Sequence, residues 1–485
     1  MTPLSIFISF LVYTVLLFTV SILTSKKTDN RTFFLGNRQS PWFVVAYGMI
    51  GASLSGVTFI SIPGDVLNTS FSYMMIVLGY LLGYYVIANV LLPLYYRMEL
   101  TSIYTYLERR FGFWSYKTGA SFFLISRVIG ASFRMFLVVD ILQVFVFDHW
   151  NIPFVVTVTS FIILILLYTY RSGIKTIVWT DTLQTTFMLL SLFVTILIIA
   201  NQMDISLLEL ITTVRDSDYS TMFITDWQDR HFFLKDFLAG AFIAIVMTGL
   251  DQDMMQKNLT CRNLKESKKN IYWMSAALVP VNLLFLSLGA ILIIYSANTG
   301  IGFPERTDHI FPTVALQNLP AVAGVMFIIG LIAAAYSSAD SALTALTTSF
   351  SVDILGIEKR EMKTDRDKIR LRQRVHLGIA FSVLLVIIVF RAINDESVIS
   401  TLFTVAGYTY GPLLGMFAFG LFTRREVRDN YVPLVAVISP LMCYLLSIYD
   451  KVLLNGYNFG FEMLIINGIF TALGLLFISY NPKRN

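Results

Sequence analysis

Between Gly330 and Phe350, an apolar stretch carries Ser337, Ser338, Asp340, Ser341 and Thr344 within about two helical turns. A carboxylate near the middle of a bilayer costs at least about 2.5–3.5 kcal/mol on insertion scales, so Asp340 must face protein, water or an ion. Hydroxyl and carboxylate oxygens are hard ligands, suited to a hard cation and poorly suited to thiophilic metals. A second carboxylate, Asp181, opens another apolar run, with Thr180, Thr182 and Gln184 beside it. There it reads either as a helix cap or as a cation ligand on an exit path.

Further polar groups lie in three other apolar runs. The stretch 46–64 holds Gly48, Gly51 and Gly56 and ends in Pro63-Gly64. These residues permit local unwinding, which is tolerable in a membrane only beside protein or a hydrated cavity. Carbonyls freed at Gly51 and Leu54, facing Ser337 and Ser338, would form an oxygen cage for a monovalent cation. The plainer alternative is a glycine-rich packing face. Arg127 and Arg134 are seven residues apart and share a helix face. Arg127 suits a structural ion pair, whereas Arg134 suits bidentate capture of a substrate carboxylate. Asp140 is near enough to pair through neighbouring helices. Gly249 allows a break, after which Asp251 and Asp253 are expected to meet the basic stretch 257–269 in a cytoplasmic charge cluster.

The elements that must position these groups are membrane helices. Of 485 residues, 56% are hydrophobic and 14% charged, with mean hydropathy +0.69; soluble proteins carry about 25% charged residues. The 40 Phe and 24 Tyr fit interfacial aromatic belts. Cys261 and Cys443 are too far apart in sequence to suggest a disulfide framework or thiolate site, and the four histidines show no ligand spacing. The net charge of +5 does not point to nucleic acid, because the basic residues sit in short loops.

Apolar runs of spanning length lie near 4–24, 42–69, 72–96, 118–146, 152–170, 178–201, 235–251, 272–296, 319–350, 376–391, 397–422, 431–449 and 461–480. They make one polytopic membrane domain over 1–485, all-α, with about 13 transmembrane helices. The second and ninth are too long for one straight crossing and are expected to be broken or kinked. The N-terminus lacks the basic region of a cleaved signal peptide, and Lys26-Lys27 follow the first run. With the N-terminus outside, only Arg215, Arg230, Lys235, Arg306, Arg391 and Lys451 fall in or beside outer loops, and almost all other basic residues fall inside. That is the positive-inside pattern, and it puts the C-terminus in the cytoplasm. The stretch 352–375 reads as a solvated, charged connector.

Several segments together resemble the sodium/solute symporter family, which includes sugar, sialate, proline and iodide carriers. They are Phe34-Leu-Gly-Asn-Arg38, Ser102-Ile-Tyr-Thr-Tyr-Leu-Glu-Arg-Arg-Phe-Gly112, Gly173-Ile-Lys-Thr-Ile-Val-Trp-Thr-Asp181, Asp251-Gln-Asp-Met-Met-Gln256 and Ala334-Ala-Tyr-Ser-Ser338. They run in family order across almost the whole chain. The resemblance implies a LeuT-type fold with two inverted five-helix repeats, 42–201 and 235–422, an extra N-terminal span and two C-terminal spans at 431–480. It implies a sodium site made by the carbonyls of Gly51, Leu54 and Ala334 and the hydroxyls of Ser337 and Ser338. A second cation site would use Asp181, Asp340 and Ser341, where Asp340 departs from the hydroxyl usual in the family. Candidate solute contacts are Ser53, Thr58, Arg134, Met247 and Thr248. Sugar carriers have Asn and Gln in the second span where this chain has Ser53 and Thr58, so a galactose-like sugar held in the same way is not expected.

The resulting expectation is a sodium-coupled symporter. It would import a small polar solute across the plasma membrane by alternating access, with Na+ as the co-transported ion and no organic cofactor. A proton-coupled carrier of the same fold is the alternative, followed by a membrane sensor without transport. No nucleophile motif or metal set points to an enzyme.

Overall fold

The computed structural model describes residues 1–24, 38–100, 102–169, 174–357, 365–393, 397–449 and 457–481. Residues 34–37, 173 and 358–364, named in the motifs and connector above, lie outside them, as do Lys26, Lys27 and Lys451. Each of the thirteen apolar runs contains a helix. Among the described residues, ten helices are long and apolar enough to cross a membrane, one bent pair joins Phe233–Gly249 to Gln252–Asn258, and Phe154–Leu167 and Met463–Phe477 are shorter. Among the described residues, strand pairing in named strands is confined to Glu426–Val427 against Ser479–Tyr480, antiparallel.

The second span, Trp42–Thr69, is broken at Ser55, where φ is 55° and ψ is 176°. A non-glycine residue in that region is strained by about 1–3 kcal/mol and persists only where its surroundings hold it. The break comes before Pro63, which the helix carries without interruption of its backbone angles. The ninth span corrects the expectation of a kink. Ala321–Ser349 is one helix, followed by a widened turn at Phe350–Ile354. Its 29 residues reach about 44 Å, a length that tilt accommodates in a bilayer.

The seventh span breaks where Gly249 permits it. A widened turn at Ile245–Gly249 leads to Leu250 and Asp251 outside helical geometry, and the chain re-enters a helix bent by 69°. Backbone carbonyls released inside a bilayer need partners. Two tyrosines supply them: Tyr95 donates to the carbonyl of Gly249 at 2.8 Å and Tyr104 to that of Leu250 at 2.9 Å.

Two sequence boundaries move. The eighth helix starts at Leu264, capped by Asn263, so Lys265, Lys268 and Lys269 are on helix and not in a loop. The tenth starts at Asp365 and absorbs the second half of the expected connector.

The third and seventh spans meet backbone to backbone. A Cβ on Gly79 would lie 2.0 Å from the carbonyl oxygen of Phe237, and one on Gly240 would lie 2.1 Å from that of Ile76. Small residues allow such an approach where no hydrophobic force separates helix from lipid. In the loop 203–232, helix Leu207–Arg215 opens with a capping box, Ser206 bonding the Glu209 amide at 3.2 Å and Glu209 returning to the Ser206 amide at 2.7 Å.

Candidate functional site

The two broken spans and the unbroken ninth enclose a buried polar core. Its best-defined part is a charge network. Arg127 forms ion pairs with Asp253 and, at 3.8 Å, with Asp251. Asp251 also caps the helix Gln252–Asn258 and accepts the Tyr410 hydroxyl at 2.6 Å, while Asp253 accepts Ser341 at 3.0 Å. All of these side chains are buried. The expected cytoplasmic cluster of Asp251 and Asp253 with the stretch 257–269 is therefore corrected. The bend turns both carboxylates inward, onto a guanidinium of the fourth span.

Asp181 is fully buried and lies away from water. Its Oδ1 accepts Ser337 at 2.8 Å, and its Oδ2 lies 2.7 Å from Nζ of Lys257. Lys257 was counted among cytoplasmic loop cations by sequence; the bend of the seventh span carries it inside, where it is 1% exposed. Its spacing of four residues from Asp253 was a usable signal, since both then share one face of a short helix.

The five residues expected as sodium ligands fall on the second and ninth spans, which pack together. Phe59 of the second span and Ser191 of the sixth close on Gly330 of the ninth. Ser338 is 2% exposed, and its Oγ has no hydrogen-bond partner among the described residues. A buried hydroxyl oxygen without a partner is costly unless a ligand uses it. Ser337 turns to Asp181. Gly51 also serves packing, because a Cβ there would stand 2.1 Å from Oγ1 of Thr185 on the sixth span. Asp340 and Ala334 are buried on the same ninth helix.

Ser53, Thr58, Arg134, Met247 and Thr248 line a single cavity of about 80 Å³, together with Leu54, Tyr80, Tyr84 and Asn282. Arg134 forms no ion pair among the described residues, and its buried Nε lacks a hydrogen-bond partner. The expected link from Asp140 runs elsewhere, to Arg306 at 3.0 Å and His309 at 3.1 Å. Asn282, which sequence reasoning missed, was visible as a lone amide in the apolar eighth run.

A larger cavity of about 340 Å³ lies beside the loop 203–232, lined by Asp65, Arg230, His231 and Asp308 among others. Tyr73 and Phe403 line both cavities, and their rings stack at 6.4 Å with an interplanar angle of 11°. With Ile399, which also lines both, they lie at the boundary of the two. Burial pushes the Asp308 carboxyl up from its ordinary value, against the Val398 amide that it accepts at 3.2 Å. Burial lowers the His231 ring, but the Asp236 carboxylate at 3.2 Å outweighs it and holds the ring above its ordinary value.

The arrangement has known counterparts. The chain is 23% identical to the sodium/sialic acid symporter of Aliivibrio fischeri, covering 91% of this chain and 87% of that one. It is 24% identical to the sodium/sialic acid symporter of Proteus mirabilis, covering 91% and 89%. Its fold matches the substrate-bound outward-open structure of a Na+-coupled sialic acid symporter with a TM-score of 0.82 at 21% identity, over 98% and 97% of the two chains. The fold is of the LeuT type. The profile of the Sodium:solute symporter family matches residues 33–429. The chain belongs to that family, and it is a sodium-coupled solute carrier, not an enzyme.

Proposed function

We propose that the protein imports a small carboxylated solute together with sodium, with its N-terminus outside and its C-terminus in the cytoplasm of a cell bounded by this membrane. Sodium entering from outside would bridge the second and ninth spans through the carbonyls of Gly51, Leu54 and Ala334 and the hydroxyls of Ser337 and Ser338. That bridge favours the outward-open state and completes the solute cavity between the two broken spans. The two repeats, 42–201 and 235–422, then exchange access from one side to the other.

The observation that carries the ion site is the Ser338 oxygen, buried and without a hydrogen-bond partner on the helix that packs against the broken second span. The solute class rests on Arg134, a guanidinium in the cavity without a carboxylate partner. Guanidinium groups bind carboxylates bidentately, and the relatives above carry an acid. One sodium ion moving inward with a monoanionic solute carries no net charge, so the accumulation is driven by the sodium gradient and not by the membrane potential.

The test is thermal stabilisation of the purified protein by sodium, with lithium and potassium as controls. Wild type should be stabilised by sodium specifically, and Ser338→Ala should lose that response. A wild-type protein indifferent to sodium but stabilised by acid pH would overturn the sodium site in favour of proton coupling.

A further inference from the structure

Lys257 is an unusual resident of a membrane core. The bend after Gly249 places it on a short helix inside the bundle, with 1% of its surface exposed. Lysine is almost never buried so completely unless it is paired. Its Nζ stands 2.7 Å from Oδ2 of Asp181, whose other oxygen is held by Ser337. Asp340, three residues beyond Ser337 and on the same helix face, is fully buried and within electrostatic reach of the same ammonium.

These are the oxygens that a monovalent cation between the sixth and ninth spans would require: two carboxylates and a hydroxyl, all hard ligands. A monovalent cation is already there, covalently attached to the chain. A sodium ion entering the same cluster would meet an ammonium at close range in a region of low dielectric, where like charges repel strongly. Nor do the neighbouring carboxylates of Asp251 and Asp253 offset it, because Arg127 already pairs with both.

We propose that the ammonium of Lys257 is a tethered substitute for a second transported cation at Asp181 and Asp340, so that the carrier binds one sodium ion per chain. The inference rests on the sodium-coupled reading above. It assigns Lys257 a positioning and specificity role: the residue occupies the cation position beside Asp181 permanently, cancels that carboxylate's charge, and leaves the site at Ser338 as the one that exchanges ions.

The experiment is equilibrium binding of radiolabelled sodium to the purified full-length protein, counted per chain. Wild type should saturate at one ion with a Hill slope of one, and Lys257→Arg should do the same. Lys257→Gln should bind two ions, with the slope rising above one, because the vacated oxygens accept sodium. The double variant Lys257→Gln, Asp340→Asn removes one charge of each sign and guards against misfolding of the single variant; it too should bind a second ion, through Asp181 and Ser337. Two ions on wild type would overturn the proposal, as would a single ion on a folded lysine-to-glutamine variant. No bound sodium on wild type would instead overturn the sodium site itself, which Ser338→Ala locates independently.

Discussion

Tyr410 donates its hydroxyl to Asp251 across 2.6 Å, and Asp251 in turn caps the short helix after the break in the seventh span. One tyrosine of the eleventh span thereby holds the corner of the seventh. A hydrogen bond to a charged group is worth about 1.5–3 kcal/mol, and its loss here leaves a buried carboxylate short of a partner. Tyr410→Phe should lower stability by about that amount, read as a fall in the thermal midpoint, while keeping the ring's packing. An unchanged midpoint would show that Arg127 and the capping amides of Asp253 and Met254 hold Asp251 without it.

Arg134→Gln should separate solute from ion. Loss of a buried charge-assisted contact costs about 2–5 kcal/mol, so affinity for a carboxylated solute should fall at least tenfold. Stabilisation by sodium alone should survive. Sialic acid and short monocarboxylic acids, added over saturating sodium, provide the thermal-shift panel. An equal response of wild type and variant to every acid would remove Arg134 from the solute site.

Gly51→Ala tests the close approach of the second and sixth spans. The new Cβ would sit 2.1 Å from Oγ1 and 3.1 Å from Cβ of Thr185, so one of the helices must shift. Overpacking of this kind costs about 1–3 kcal/mol. Thr185→Ala in the same chain should recover part of the loss, because it removes the nearest atom. Recovery would show as a higher thermal midpoint for the double variant than for the single one.

His231 predicts a pH dependence at the larger cavity. Its folded pKa lies above the ordinary value of 6.5, so its pairing with Asp236 is fully present below about pH 6.5. The contribution is lost as pH rises through the folded value. Thermal stability should therefore fall on moving from pH 6 toward alkaline pH, and His231→Gln should flatten that slope. An identical slope in the two proteins would place the titration elsewhere.

Much of this molecule is readable from apolar runs, because a bilayer forces backbone groups to pair within each helix. The thirteen runs, the break allowed by Gly249 and the gathering of Ser53, Thr58, Arg134, Met247 and Thr248 at one cavity follow from local pattern and family resemblance. What escapes is direction after a break. A bend of 69° decides whether Asp253 and Lys257 face cytoplasm or core, and nothing in their neighbours' hydropathy encodes that angle. For the same reason the second span's break was expected from its glycines, yet it falls on Ser55, whose positive φ is imposed by surroundings and not by residue type. The ninth span shows the opposite error: length alone suggested a break or kink, and the helix runs through without interruption.

The close approach of Gly79 to Phe237 and of Gly240 to Ile76 has a mechanical consequence. With each glycine set against a carbonyl of the other helix, neither helix can slide or rotate past the other without collision. The third span and the first half of the seventh must travel as one strut. Whatever coordinate describes the passage from one face of the membrane to the other, the offset between these two helices is not part of it, and the backbone breaks at Ser55 and Leu250 lie outside the strut.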